Sequence, residues 1–357
     1  MSRPQIVING KFLGAGLNGV HRTAAHFASL LIERARNHAD VRLAAPRPFD
    51  CDPGFPLLVP EVRPGRFGAG QGWEMLTLPR IARGALLVNF CNLAPLLHGN
   101  SVVMIHDAQT FLYPGDYSGR QAKGYRALSP WIARRARRVL TVSDFSRRCL
   151  VEHGIGRMDK IDVVPNGTDH ILDVEPENAI LDQHGLDAGG YVLTVGSAKG
   201  YKNIRRVFEA MNGQAPAGLK LVVAGGPPRE TYITAGWTPP DEAVFTGFVS
   251  DAELRALYAG ARVFAFPSLT EGFGLPPVEA MQCGTPVVAA RAGAVPGVCG
   301  EAALLVEPED TAAWRAGIDR LAGPEGAAFV EKGRERAAQL SWSAAGDRLW
   351  EVLRPLL

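Results

Sequence analysis

The chain has 357 residues, 46% hydrophobic and 21% charged, with a net charge of +2. That is the composition of a globular protein with one or two domains and ample core, and so small a net charge argues against nucleic acid as a partner. The five cysteines (Cys51, Cys91, Cys149, Cys283, Cys299) are odd in number and lack Cys-x-x-Cys spacing, which argues against a disulfide framework or a zinc site and for a reducing compartment.

Met1-Ser2-Arg3-Pro4 leads straight into Gln5-Ile6-Val7-Ile8 without a secretory signal. No uncharged apolar run approaches the roughly 18 residues of a membrane span. A cytoplasmic protein is expected, with peripheral contact at the inner face of a membrane left open. Ile6-Val7-Ile8 reads as the first strand. Val20 to about Arg36 reads as a helix, with Val20, Ala24, Phe27, Leu31 and Ala35 at three- and four-residue spacing. Gly14, Gly16 and Gly19 lie between them. A glycine loop ahead of a helix start offers N–H groups to an anion. It lacks the acidic ribose partner of a dinucleotide fingerprint, and a plain strand-to-helix turn explains it equally well. Residues 44–72 are rich in Pro and Gly and read as an irregular loop. Asp50 and Asp52 form an Asp-x-Asp there, which chance explains better than a metal site. Ser101 to Ile105 is a strand ending in His106-Asp107. Ligands of open α/β sheets gather at the carboxyl ends of strands, so His106 is a better functional candidate than a lone core histidine. Pro130 to Arg138 reads as a helix bearing Arg134, Arg135, Arg137 and Arg138. It could touch anionic lipid or a lipid-linked diphosphate; a solvated helix face is the preferred reading. Val139–Val142 is a strand, Ser143 caps the next helix, and Ile161–Val164 leads into the turn Pro165-Asn166-Gly167-Thr168-Asp169.

A second α/β unit begins with the strand Tyr191–Val195. Gly196 to Asn203 follows, then a helix to about Met211. Lysine beside a glycine loop at a helix start, as at Lys199 and Lys202, suits a diphosphate by charge and N–H donors together. Asp251–Tyr258 is a capped amphipathic helix with a structural role. Val263–Phe266 is a buried strand, after which Gly272 and Gly274 break regular structure. Pro276 and Pro277 suit the first turn of a helix that runs to Cys283 and stops at Gly284. Val287–Ala290 and Ala303–Val306 are further strands, followed by helices at about 309–322 and 326–339 and a last helix from Ser341-Trp342-Ser343. Glu271 falls in the loop and Glu279 in the first helical turn. They are poorly placed as an acid–base pair and better placed to grip two hydroxyl-rich parts of one ligand, with an anionic group held between them at the helix end.

The stretch Glu271-Gly272-Phe273-Gly274-Leu275-Pro276-Pro277-Val278-Glu279-Ala280-Met281-Gln282-Cys283-Gly284-Thr285-Pro286-Val287-Val288 resembles the Glu-x7-Glu signature of the retaining group 1, or family 4, glycosyltransferases. Two glutamates eight apart are common; embedded in this string they are specific. The resemblance runs from Ile6 to the last helix and is weakest at 44–72. It implies the α/β fold called GT-B: two doubly wound parallel-sheet, Rossmann-like domains facing a cleft. Residues 1–170 would form the acceptor-side domain, 171–188 a linker, 189–341 the nucleotide-sugar domain, and 342–357 a helix packing back on the first. Trp73 to Arg83 would be a helix, and Ala108 to Tyr125 a variable acceptor-side loop.

The resemblance also implies roles. His106, Glu271 and Lys202 would be catalytic: His106 near the reacting end of the sugar, Glu271 on donor-sugar hydroxyls, Lys202 on the diphosphate. Donor contacts are expected from Gly16, Gly19, Ser197, Lys199, Lys202, Phe248, Gly272, Phe273, Gly274, Leu275 and Glu279, with Glu279 on the ribose and the Phe245–Val249 segment placing the base through its backbone. Asn18, His21, Asp107 and Tyr113 fall on the acceptor side, with Tyr117 and Arg120 weaker. Three positions depart from the family pattern: His21 replaces a small residue, and Ser197 and Tyr201 replace arginines. The implied activity is metal-independent transfer of a hexose, with retention, from a nucleoside-diphosphate sugar acting as co-substrate to a glycan or lipid-linked saccharide in surface or exopolysaccharide assembly. Likeness to bacterial mannosyltransferases makes GDP-mannose the first donor expected, with UDP-glucose and dTDP-rhamnose open. No resident cofactor, metal or nucleic-acid partner is expected. Two other readings stand beside it. A GT-B sugar-nucleotide 2-epimerase would need no acceptor. A non-catalytic nucleotide-sugar or glycan-binding relative is favoured by the two missing arginines and opposed by both glutamates.

Overall fold

The structure, a computed structural model, describes residues 3–15, 19–50, 52–213 and 215–357. It divides into two compact units, residues 1–166 with 342–357, and residues 167–341. The stretch 171–188, expected as a linker, is grouped with the second unit and carries the short helix Ala179–Gln183.

Each unit is built on one parallel sheet. In the first, β1 (Gln5–Asn9), β2 (Asp40–Ala45), β3 (Glu61–Val62), β4 (Leu86–Asn89), β5 (Ser101–Met104), β6 (Arg138–Thr141) and β7 (Ile161–Val163) lie in the order β3-β2-β1-β4-β5-β6-β7. In the second, β8 (Tyr191–Val195), β9 (Lys220–Ala224), β10 (Val244–Gly247), β11 (Val263–Phe266), β12 (Val287–Ala290) and β13 (Ala303–Val306) lie in the order β10-β9-β8-β11-β12-β13. Helices cover both faces of such a sheet, so its central strands read as unbroken apolar runs; β4, β11 and β12 are buried at every position. Strand order reverses beside β1 in one sheet and beside β8 in the other. Loops leaving the strands on either side of a reversal turn to opposite faces and open a crevice at the carboxyl ends, where doubly wound sheets hold ligands.

Several expectations are corrected. Residues 44–72 are not wholly irregular, because β2 runs on to Ala45 and pairs with β3. The helix expected from Trp73 opens as a π-helical turn over Trp73–Thr77 before Leu78–Ile81. Ala108 to Tyr125 is not a loop: it holds the helix Gln109–Leu112 and most of a longer one, Gly119–Arg135. That longer helix is capped by Ser118, whose side chain accepts from the Gln121 N–H. It therefore starts well before Pro130, which sits in its interior and cannot donate to the carbonyl one turn back. The helix buries Ala122, Ser129, Ile132 and Ala133, too small and mixed a set to show as an apolar stripe. Arg138 belongs to β6 instead.

The last helix, Trp342–Leu353, packs within the first unit against the helix Gly19–Ala35. His26 stacks on Trp342 with ring centres 4.1 Å apart, Phe27 meets the same indole edge-on, and Arg34 Nε donates to Asp347 Oδ1 at 2.7 Å. Among the described residues, no helix is long and apolar enough to cross a membrane.

Candidate active site

In the second unit the crevice is made by the loop Gly196–Asn203 after β8 and the loop Pro267–Gly274 after β11. The two are bonded together: Leu269 N donates to Tyr201 O at 2.8 Å and Asn203 Nδ2 to Pro267 O at 3.3 Å. Across this seam Lys202 Nζ lies 2.7 Å from Glu271 Oε1, and Ser268 Oγ donates to the same oxygen at 2.8 Å. Both side chains are largely shielded, so their attraction is screened less than at an open surface. Tyr201 is buried, and the ammonium groups of Lys202 and Lys199 stand 5.4 and 5.8 Å from its ring centre, within cation–π range. At one of the expected arginine positions there is thus a ring against which two lysines rest. Ser197, at the other, is half-buried.

The backbone at Glu271 is held from the far side. Ala294 N donates to Glu271 O at 3.2 Å. At Gly293, with φ of 61°, any Cβ would come within 2.7 Å of Glu271 N, so only glycine lets the two segments approach. Gly274, at φ 90°, turns the chain into the helix Leu275–Gln282. Pro276 and Pro277 have no N–H, which narrows the donors this helix end can offer an anion to those up to Leu275. Gly272 and Phe273 complete the loop, with Phe273 buried.

Glu279 lies in the second turn of that helix, not the first, because the helix begins at Leu275. It is buried, with Tyr258 Oη donating to Oε2 at 3.1 Å and His170 Nε2 3.3 Å from Oε1. Tyr258 comes from the helix Asp251–Gly260, whose start is fixed by a Ser250–Glu253 capping box. Burial, and then the Glu279 charge, hold the Tyr258 phenol well above its ordinary pKa, so it remains a donor. Phe248, just past β10, is 93% exposed.

In the first unit the strand ends converge on buried polar groups. Asn9 Nδ2 donates to Asn89 Oδ1 at 3.1 Å and to Glu74 Oε1 at 2.7 Å, and Lys11 Nζ meets Glu74 Oε2 at 2.7 Å. His106 follows β5 and is buried. Its N–H donates to Asn92 Oδ1 at 2.9 Å, and its Nε2 lies 2.8 Å from the Phe90 carbonyl. A carbonyl only accepts, so Nε2 carries the proton. Burial pulls the pKa of His106 down to about 4. The ring is therefore neutral at neutral pH, with Nδ1 as its acceptor. Asp107 Oδ1 accepts from Gln109 N at 2.9 Å, an Asx turn that starts the next helix.

Beside Asp107 is a cavity of about 290 Å³ lined by His21, Asp107, Gln109, Tyr117, Gln121 and Tyr125, among others. Tyr117 Oη donates to Gln109 Oε1 at 2.7 Å. Tyr113 sits at the end of the helix Gln109–Leu112, Arg120 is exposed on the helix Gly119–Arg135, and Gly19 is exposed at the start of its own helix. Gly16 and Asn18 lie outside the described residues. Burial pushes the Cys91, Cys283 and Cys299 thiols up to about 12, so they stay protonated and are poor nucleophiles.

The family described as Glycosyltransferase Family 4 matches residues 17–171, and the one described as Glycosyl transferases group 1 matches residues 189–323. The chain belongs to the group 1, family 4 glycosyltransferases. It is 31% identical over 230 residues to O-antigen chain mannosyltransferase B of Escherichia coli, a match covering 58% of this chain and 58% of that protein. It is 32% identical over 238 residues to the MMP alpha-(1->4)-mannosyltransferase of Mycolicibacterium hassiacum, covering 63% of this chain and 56% of that one. The match thus spans less than two thirds of either relative. The structure of HepE from Anabaena, solved in complex with UDP and glucose, superposes with a TM-score of 0.72 at 21% identity, over 99% of this chain and 100% of that one. At that identity the likeness is one of fold, GT-B.

In this glycosyltransferase chain, sequence reasoning picked out Lys202, Glu271 and Glu279 but missed their partners. His170 follows the turn Pro165-Asn166-Gly167-Thr168-Asp169 marked in the sequence, and that was its one signal. Tyr258 was absorbed into the apolar face of its helix. Lys11, Glu74, Gln109 and Tyr125 had no local pattern to mark them.

Proposed function

We propose that the chain moves a hexose from a nucleoside-diphosphate sugar, GDP-mannose first, to a saccharide or lipid-linked saccharide acceptor, with retention at the anomeric carbon. The observation that carries this is the Lys202–Glu271 pair, 2.7 Å apart, on two switch-point loops leading into the helix start at Gly274. A cation, a carboxylate and a helix N-terminus in one partly dry crevice suit a ligand that is anionic at one end and hydroxylated at the other. The diphosphate takes the Lys202 ammonium, with Lys199 beside it, and frees Glu271 to accept from sugar hydroxyls. Glu279, already oriented by Tyr258 and His170, accepts from the ribose diol.

In the reaction the anomeric C–O bond to the diphosphate breaks and a new bond forms from the acceptor oxygen on the same face. The acceptor proton passes to the departing phosphate oxygen. Lys202 and the helix end oppose the charge as it develops, so a divalent cation is not required. Neutral His106 supplies a hydrogen-bonding group near the sugar. The acceptor is held in the first unit at the cavity lined by His21, Asp107 and Tyr117. Mannose is favoured by the names of the two relatives described above, both mannosyltransferases. HepE, solved with UDP and glucose, keeps UDP-glucose as the second donor.

A thermal-shift screen of the purified chain against GDP, UDP, dTDP and ADP and their sugars tests the donor. Ligand at a hundred times its dissociation constant adds about 2.7 kcal/mol of stability, and the guanosine series should give it. Turnover then needs an acceptor. Donor converted to a 2-epimer without acceptor would make the chain an epimerase, and binding without turnover would make it a non-catalytic relative.

A further inference from the structure

The helix Gly119–Arg135 has two differently furnished sides. Gln121, Tyr125 and Ser129 face the cavity beside Asp107. Ala127, Leu128, Trp131 and Arg135 join Leu96 and Leu97, from the loop after β4, around a separate surface groove of about 440 Å³. Leu97 is 80% exposed and Trp131 61% exposed. Large apolar side chains grouped on a surface mark a contact site, whereas scattered ones do not.

The helix that borders this groove carries charge of one sign. The helix carries Arg120, Lys123, Arg126, Arg134 and Arg135, all exposed, and no Asp or Glu. Lys160 Nζ donates to the Arg134 carbonyl at 2.7 Å, which adds an ammonium at the helix end. Exposed Arg137 donates to Asn100, three residues past Leu97, at 3.1 Å. An aromatic and leucine tip is thus bordered by cations on a chain whose net charge is only +2.

We propose that this face is a peripheral docking surface for an anionic lipid bilayer, with Trp131 and Leu97 entering the interface and Arg134, Arg135, Arg137 and Lys160 meeting the headgroups. Tryptophan suits that depth because its ring is apolar and its N–H polar. Charge complementarity selects this occupant: in a two-fold pairing of copies the same cationic patch would face itself, and an uncharged surface would supply no counter-charge to it. The proposal is independent of the donor and acceptor assignments.

The test is co-sedimentation of the full chain with vesicles of phosphatidylcholine alone or mixed with phosphatidylglycerol. Binding is expected to the mixed vesicles, weakening as salt rises. Arg134→Ser with Arg135→Ser should lower partitioning roughly thirtyfold, while Arg134→Lys with Arg135→Lys keeps it. Trp131→Ser with Leu97→Ser should lower it roughly tenfold or more at an unchanged melting temperature. Equal binding to both vesicle types, or serine variants that sediment like the parent chain, would overturn the proposal. So would light scattering that finds a dimer split by Trp131→Ser, which would give the groove to a second copy.

Discussion

The two crevices are built by opposite means. In the second unit, Lys202 and Glu271 come from neighbouring switch-point loops and are locked to each other, and Glu279 is clamped from both sides by Tyr258 and His170. In the first unit, the cavity beside Asp107 is assembled from separate segments and lined mainly by amides, hydroxyls and aromatic rings. Full charges in a partly dry site must be paired and held rigidly, or their desolvation is uncompensated. Neutral hydrogen-bonding groups cost less to desolvate and can be gathered from scattered positions. The contrast suits the proposed division of labour, in which one crevice opposes the donor's charge and the other reads acceptor hydroxyls.

Removing the charge machinery should break this contrast most visibly. Lys202→Ala and Glu271→Ala should each lower kcat by about a hundredfold or more; near-normal steady-state rates in either would remove that residue from the donor side. His106 tests the uncharged side through acid stability. Above the unfolded pKa of 6.5 the ring is neutral in both states, so its contribution is fully present. As pH falls toward its folded pKa of about 4, only the unfolded chain gains the proton, and stability is lost. The loss is on the order of 3 kcal/mol. Urea midpoints followed from neutral pH down to 4 should therefore fall less steeply in His106→Asn, and parallel curves for the two proteins would sink the assignment.

Smaller effects sharpen the comparison within the second unit. Tyr258→Phe removes one hydrogen bond to the Glu279 carboxylate and should raise the donor KM roughly tenfold with kcat little changed. A fall in kcat instead would place Glu279 at the reacting bond and not at the ribose. The smallest expected effect is none: EDTA should leave turnover unchanged if Lys202 and the helix end oppose the diphosphate charge by themselves. Loss of activity restored by a divalent cation would give that task to a metal.

Legibility followed locality. β8, β11, β12 and β13 were read at their observed bounds, because a strand covered on both faces is a short unbroken apolar run. The loop and helix around Glu271 and Glu279 were readable for a related reason. Glycine at Gly274 and proline at Pro276 and Pro277 state their backbone geometry whatever surrounds them. The helix Gly119–Arg135 was misread because Ala122 and Ser129 on its buried side give no hydrophobic period, and Pro130 looked like a start.

Local residue patterns were enough for the alternating strands and helices, two parallel sheets, and the glutamates and lysine of the second unit. Packing alone sets that Glu279 is held by His170 and Tyr258, that Tyr201 braces two lysines, that Asn9, Lys11 and Glu74 share one hydrogen-bonded cluster, and that Leu97 and Trp131 border one groove. The reason is physical. Backbone propensity acts over a few residues, whereas these contacts join residues from different segments of the chain. Which segments meet is set by strand order and helix packing, and local periodicity does not encode either.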